Sequence, residues 1–321
     1  MKSNLKIIRS DGGICSQIAF AALGKYYEDK GFQVKYDLTW FKENGMDLNG
    51  RFCRNYDIKK AFPDMDFEEA SEEESKQAKK SKNYIGGYPE ERIYCFAKYK
   101  ELFKKYFNPT DINQDLNNEI NNTNACAVHI RRGDLATARA CYGHPPGVDY
   151  FAKAIKLILA LCPDTKFYFF SDEPDWIKEN LLTELGSINY KICDKNGSDK
   201  GYLDLYLISQ CKFIIASQGS LGFFGKILSN KNPLLITHRT DDFMCENFEN
   251  IIIMSTLYNI PEEEKQITKI LTEKPIEEPN LIKTILKNIF SVEKDFSIPQ
   301  KRVKTTTILG LKIKTVKEYK F

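Results

Sequence analysis

Apolar positions along this chain recur with two periods, and the periods alternate. Leu5, Ile7 and Ile8 form a short apolar run that breaks at Arg9-Ser10-Asp11-Gly12-Gly13. Ile14, Ile18, Ala21, Ala22 and Tyr26 then fall on one helical face that Gly31 ends, and Phe32, Val34, Tyr36 and Leu38 alternate as in a strand. The pattern predicts a β-α-β opening. Residues 66–82 have acids leading, bases trailing and Glu72 four residues before Lys76, which predicts a solvated helix matched to its own dipole.

Residues 108–124 are rich in asparagine and poor in apolar side chains, and they mark the expected domain boundary. Beyond them strand and helix alternate without interruption. Residues 125–130 read as a strand, 150–162 as a helix stopped by Pro163, and 166–171 as a strand before a helix that Pro174 opens. The segments 189–193, 212–217 and 232–237 read as further strands, with helices over 202–211 and 220–230 between them. Such alternation predicts an α/β fold, a parallel sheet covered by helices on both faces, with ligands beyond the carboxyl ends of its strands. The expected division is residues 1–122, residues 123–295 and a tail at 296–321.

Composition narrows the function classes. Among 321 residues, 47 basic side chains against 44 acidic ones leave a net charge of +3, so an anion site must be local and nucleic acid is not an expected partner. The nine cysteines include no CxxC pair and the three histidines are far apart, which predicts reduced thiols and no metal site. Asp64-Met65-Asp66 has the form of a metal-binding carboxylate pair, but it follows Pro63 and precedes the acidic segment, so it reads as a helix start. The amino-terminal residues lack a signal-peptide core, and no apolar run approaches the roughly 18 residues of a membrane span, so a cytoplasmic location is expected. Residues 301–321 carry seven Lys or Arg against one Glu, with Ile308, Leu311, Ile313 and Val316 interleaved. An edge strand or docked tail explains them as well as contact with an anionic membrane face does.

Candidate chemistry gathers at the carboxyl ends of the second domain's strands. His129-Ile130-Arg131-Arg132-Gly133-Asp134 ends the first of them, and an arginine fork fits phosphate oxygens. Strand pleating sends adjacent arginines different ways, so one is expected to serve a ligand and the other to be held in place by Asp134 or by the neighbouring domain. A surface salt-bridge cluster is an equal reading of those six residues. Ser217, Gly219 and Ser220 stand where a strand gives way to a helix amino terminus, a place for phosphate or for ordinary capping. Asp172 ends another strand, where a carboxylate fits a base or a ribose, or caps the helix before Pro174. Taken together these features point to a nucleoside diphosphate. No Walker lysine loop, GxGxxG or nucleophile elbow accompanies them.

The same residues resemble a known family. HIRRGD is similar to the HxRRxD signature of metal-independent fucosyltransferases, and residues 203–228 resemble the second block of the α-1,2-fucosyltransferases, glycosyltransferase family 11. Residues 167–181 and 11–31 resemble further blocks, with Ser16 where family members usually carry Asn. The resemblance implies a GT-B-like fold, two Rossmann-like domains with the donor-binding parallel sheet in the second. It implies inverting transfer of L-fucose from GDP-β-L-fucose, without metal or other cofactor, to the 2-hydroxyl of a terminal galactose. The acceptor expected is an O-antigen or other surface polysaccharide unit, lipid-linked at the inner face of a bacterial inner membrane. Fucosyl transfer to another linkage and a silent GDP-sugar-binding protein are the alternatives. By the same resemblance Arg131 binds the β-phosphate and stabilises departing GDP, His129 and Asp204 reach the guanine, and Ser217, Gly219 and Ser220 hold the phosphates. Asp172 is a further nucleotide contact and Arg132 is structural. For the acceptor's proton the candidates are Asp134, His144, Asp149 and, from the first domain, Asp11.

Overall fold

The computed structural model describes residues 4–43, 45–46, 54–137, 145–217, 219–238 and 249–254, and the backbone of three strands within 290–318. The opening unit follows its apolar periods. β1 (Leu5–Arg9), α1 (Ile14–Glu28) and β2 (Gln33–Asp37) form the expected β-α-β unit. The short helices α2 (Thr39–Glu43) and α3 (Ile58–Ala61) and then α4 (Glu72–Lys80) precede β3 (Tyr84–Ile85). The strands pair in parallel in the order β2-β1-β3. α4 begins at Ser71, whose hydroxyl accepts from the Glu74 N–H while the Glu74 carboxylate accepts from the Ser71 N–H, a reciprocal cap. Asp64 and Asp66 therefore do not start a helix. Asp64 lies in a turn after α3 and Asp66 in the irregular segment that follows, and a bridge from Glu69 to Tyr36 intervenes before α4.

α5 (Glu91–Tyr106) carries the chain toward the second unit. The asparagine-rich stretch is more ordered than its composition suggests, because it contains α6 (Gln114–Asn121), capped by the Asn113 side chain and anchored by buried Ile120.

The second unit runs β4 (Ala125–Ile130), α7 (Gly133–Thr137), α8 (Val148–Leu161) and β5 (Lys166–Ser171). α9 (Pro174–Trp176) passes through a π-helical turn, Ile177–Leu181, into α10 (Leu182–Leu185) and then β6 (Tyr190–Ile192). α11 (Gly201–Ser209), β7 (Phe213–Ala216), α12 (Ser220–Leu228) and β8 (Leu234–Thr237) follow. β9 (Ile251–Ile253) adds a strand that the pattern of the sequence did not suggest, since three isoleucines are too short a run to show a period.

All six strands are parallel, in the order β6-β5-β4-β7-β8-β9. This is the doubly wound order, whose switch point lies between the first strand and the fourth, here β4 and β7. Both faces of the central strands β5, β4, β7 and β8 are buried, so these strands read as continuous apolar runs. Ala125 and Ala127 face a core shared with α5, α11 and α12, while Cys126, Val128 and Ile130 face α8 and the helical segment after Pro174. The first core continues without a break into the opening unit. Phe96 of α5 stacks on Phe224 of α12 at 4.5 Å and 8°, and Phe107 meets Tyr206 of α11 edge-on at 5.5 Å. Two α/β units with parallel sheets, the GT-B-like arrangement, are thus joined by an aromatic seam.

A separate antiparallel meander comprises β10 (Phe290–Asp295), β11 (Lys301–Ile308) and β12 (Leu311–Glu318). The tail boundary expected at 295/296 falls inside it, between β10 and β11.

Candidate functional site

The arginine turn and the glycine-serine loop meet at the switch point. β4 and β7 are neighbours, so the segments leaving their carboxyl ends must lie side by side. The Ser217 N–H donates to the His129 carbonyl at 3.0 Å, and the Ser217 hydroxyl accepts from the Arg131 N–H at 2.8 Å. Ser217 is fully enclosed and so ties the two turns together. Tyr150 of α8 holds the end of β7 from behind, its hydroxyl bonding the Ala216 carbonyl at 2.8 Å.

Gly219 lies directly over this junction. A Cβ there would stand 3.0 Å from His129 Cε1 and 3.3 Å from Arg131 Cβ, so the absence of a side chain keeps the approach open. It also precedes α12, whose first turn receives no side-chain cap and leaves backbone N–H groups available to an anion. Ser220 is exposed at that first turn, within hydrogen-bonding reach of the Cys15 thiol in the first turn of α1. α1 likewise starts at a glycine, Gly13, with no side-chain cap. The amino termini of two helices, one from each unit, therefore converge beside the arginine turn.

The two arginines diverge as the pleat requires, but their partners differ from expectation. Arg131 contacts both Asp134 and Asp172, so Asp134 pairs with the first arginine. The cause is the tight start of α7, which brings the i+3 carboxylate back to the first arginine. Arg132 lies over the Trp176 ring at 4.1 Å, with Nε 3.4 Å from Glu173, a structural setting. Asp172 is committed to the turn itself: one oxygen meets Arg131 and the other accepts from the Arg132 N–H at 3.0 Å. Burial pushes its carboxyl up, opposed by the Arg131 charge. Two carboxylates thus orient the Arg131 fork, which keeps further N–H groups for a ligand.

His129 is buried beneath this turn with Nδ1 lacking a partner. Burial, with the neighbouring Arg131 charge, lowers the imidazole to about 3, so it is neutral at ordinary pH and a poor proton acceptor. Asp204 lies in the first turn of α11 and shares its surroundings with Cys193, just past β6. Burial raises its carboxyl to about 7, against the Asn196 amide that donates to it at 2.7 Å. β6 is two strands from β4, roughly 10 Å at ordinary strand spacing, a span fit for a nucleotide lying along the sheet's carboxyl edge.

His144 lies outside the described residues. Asp149 is exposed in the first turn of α8, and Asp134 faces Arg131. Sequence reasoning missed Tyr150, Glu173 and Trp176, which support the turn; only the position of Trp176 shortly after Pro174 hinted at it. Gln17 carries no signal in the sequence beyond its place in the 11–31 block. It is buried and ties the turn at Gly12 to the segment before α3, donating to the carbonyls of Gly12 and Asn55 and accepting from the N–H groups of Asp57 and Ile58. Among the described residues no group of three or more His, Cys, Asp or Glu is arranged to hold a metal, and no helix is long and apolar enough to cross a membrane.

Comparison with known proteins places these features in a family. Residues 46–254 match the family described as glycosyl transferase family 11, a stretch that includes the arginine turn, Asp204 and the loop at Gly219. An Escherichia coli alpha-1,2-colitosyltransferase is 30% identical over 157 residues, 47% of this chain and 53% of that protein. The O-antigen biosynthesis glycosyltransferase WbnK of Escherichia coli is 29% identical over 132 residues, 37% of this chain and 42% of that protein. The chain spans about half the length of these curated relatives. A crystal structure of POFUT1 in complex with GDP overlays at a TM-score of 0.41 and 10% identity, covering 73% of this chain and 97% of that one, too loosely to carry an argument.

Proposed function

Because the chain belongs to glycosyl transferase family 11, we propose that it transfers L-fucose from GDP-β-L-fucose to the 2-hydroxyl of a terminal galactose, with inversion and without a metal. The observation that carries this reading is the position of Arg131 at the carboxyl end of β4: Asp134 and Asp172, the residue after β5, fix its guanidinium, and its Cβ and Cγ pass close to Gly219, which leaves an uncapped helix amino terminus open.

In the proposed reaction the diphosphate lies over Gly219, and Arg131 neutralises the charge that grows on the β-phosphate as the fucose C1–O bond breaks. The α12 N–H groups and the Ser220 hydroxyl complete the cradle, while Ser217 keeps the turns in register. Asp204, when ionised, accepts from the guanine N–H groups. His129 gives a neutral polar edge below the phosphates. Asp134 and Asp172 act through Arg131 by fixing its fork.

The name of the colitosyltransferase relative supports a second donor reading. Colitose is fucose without its 3-hydroxyl, so the two readings differ in whether the site hydrogen-bonds that group. The proposed acceptor is a unit of a surface polysaccharide such as O-antigen, in line with the name of the WbnK relative. Contact of the basic carboxyl-terminal residues with an anionic membrane face, where a lipid-linked acceptor would lie, is part of the same proposal. Incubation with GDP-fucose or GDP-colitose and β-galactosides in EDTA, followed by linkage analysis, tests it. A new fucosyl-α-1,2-galactose supports the reading, and colitosyl transfer alone replaces the donor. Saturable GDP-fucose binding with no transfer to a broad acceptor panel leaves a silent binder.

A further inference from the structure

The turn between β1 and α1 holds buried polar atoms that the fold does not satisfy. Ser10 Oγ, Asp11 Oδ1 and Ser16 Oγ all lie out of reach of water and without a hydrogen-bond partner. Buried polar atoms are nearly always paired, so three at one turn call for a cause. Asp11 is completely buried, and its other oxygen, Oδ2, accepts from Arg9 Nε at 3.1 Å and Nη2 at 2.5 Å. That fork holds one edge of the carboxylate and leaves the second edge unused.

The surroundings suit a sugar. Gly12 follows with φ +73°, and a Cβ on it would stand 3.4 Å from Ser16 Oγ and 3.8 Å from the Tyr88 hydroxyl. Tyr88 is 56% exposed, and the Arg92 guanidinium lies 4.7 Å from its ring. An exposed aromatic ring beside polar groups is a fitting platform for a pyranose, which has apolar C–H faces and a hydroxyl rim. The turn also faces the right place. α1 begins three residues after Asp11, and its Cys15 thiol lies beside Ser220 at the start of the helix proposed to cradle the diphosphate.

We propose that the β1–α1 turn receives the acceptor sugar and that Asp11 is the catalytic base, its Oδ1 taking the proton of the attacking hydroxyl. The proposal rests on the transfer reaction argued above. The Tyr88 hydroxyl moves off the turn as its ring stacks on the acceptor, and the acceptor's hydroxyl oxygen forms a bond to fucose C1 as the proton passes to Asp11. The bond from C1 to the β-phosphate oxygen breaks with its electron pair going to GDP, opposite Arg131. Asp11 then returns the proton to water. Ser10 and Ser16 hydrogen-bond neighbouring hydroxyls of the same sugar.

Three measurements on the full chain test this. Turnover by the unsubstituted protein comes first, since its absence refutes the transfer reading rather than the role of Asp11. Asp11→Asn should bind GDP as tightly as the original while transfer falls about 10²–10⁴-fold, the ordinary contribution of a general base. Asp11→Ala should be equally slow and should regain transfer as sodium formate is added, because formate supplies the missing carboxylate. Asp11→Asn with near-normal transfer overturns the proposal. So does an Asp11→Ala protein that binds GDP but does not respond to formate. Loss of GDP binding in both variants also overturns it, because it makes the carboxylate a structural partner of Arg9.

Discussion

Adjacent arginines at a strand end repel each other, and the structure separates them by giving each its own partners. Arg131 is gripped by Asp134 and Asp172, and Arg132 lies on Trp176 beside Glu173. Their substitutions should therefore differ in kind. Arg132→Ala removes a cation-π contact and should lower stability by about 1–2 kcal/mol, with GDP affinity unchanged, as read by denaturant unfolding and calorimetry. A large loss of GDP affinity in Arg132→Ala would reassign the two residues. Asp204 makes a separate prediction in pH. Its carboxyl, raised to about 7, holds a proton more tightly folded than unfolded, so its contribution to the stability of the free protein declines as pH rises from the ordinary carboxylate range to about 7. GDP affinity should move the other way, rising between about pH 6 and pH 8 as the carboxylate forms, and Asp204→Asn should flatten that rise. A pH-independent GDP affinity would remove Asp204 from the guanine site.

At the scale of elements, most of the second unit was legible because its central strands β5, β4, β7 and β8 are buried on both faces. β4, β5, β7 and β8 appear within a residue or two of where apolar runs place them. What stayed hidden depended on partners distant in sequence. β9 is three residues long and exists because β8 offers an edge, and α6 forms in a polar stretch because Asn113 caps it and Ile120 docks. The site followed the same division. The arginine turn and the loop at Gly219 announced themselves by residue type. The pairing of Arg131 with Asp172, 41 positions away, is set by the parallel register of β4 and β5, which no local pattern shows. The seam between the units was equally invisible, since the phenylalanines of α5 resemble those of any helix. Phe96 and Phe224 make that seam one core, so Phe224→Ala should cost about 3–5 kcal/mol in denaturant unfolding. The unsubstituted protein should lose both units in one transition, and two well-separated transitions would contradict a shared core.

Over the whole molecule, two parallel sheets present the carboxyl end of one strand each to the same place. β4 contributes Arg131, and β1 contributes Asp11, with α1 and α12 starting side by side between them. In the proposed reaction the leaving group is stabilised from one unit and the acceptor is activated from the other, and the aromatic seam keeps the two at a fixed separation. This division also explains why the donor side was the readable one: phosphate recognition uses arginine, glycine and helix starts, whereas a sugar is held by scattered hydroxyls and carboxylates that leave no motif. The claim on which the rest depends is that Arg131 neutralises departing GDP. Its most direct test is GDP release from GDP-fucose, with a β-galactoside acceptor in EDTA, compared between the unsubstituted protein and a folded Arg131→Ala variant. The account predicts metal-free turnover by the first and a loss of about 10²–10³-fold or more in the second. Near-normal turnover by Arg131→Ala would contradict it.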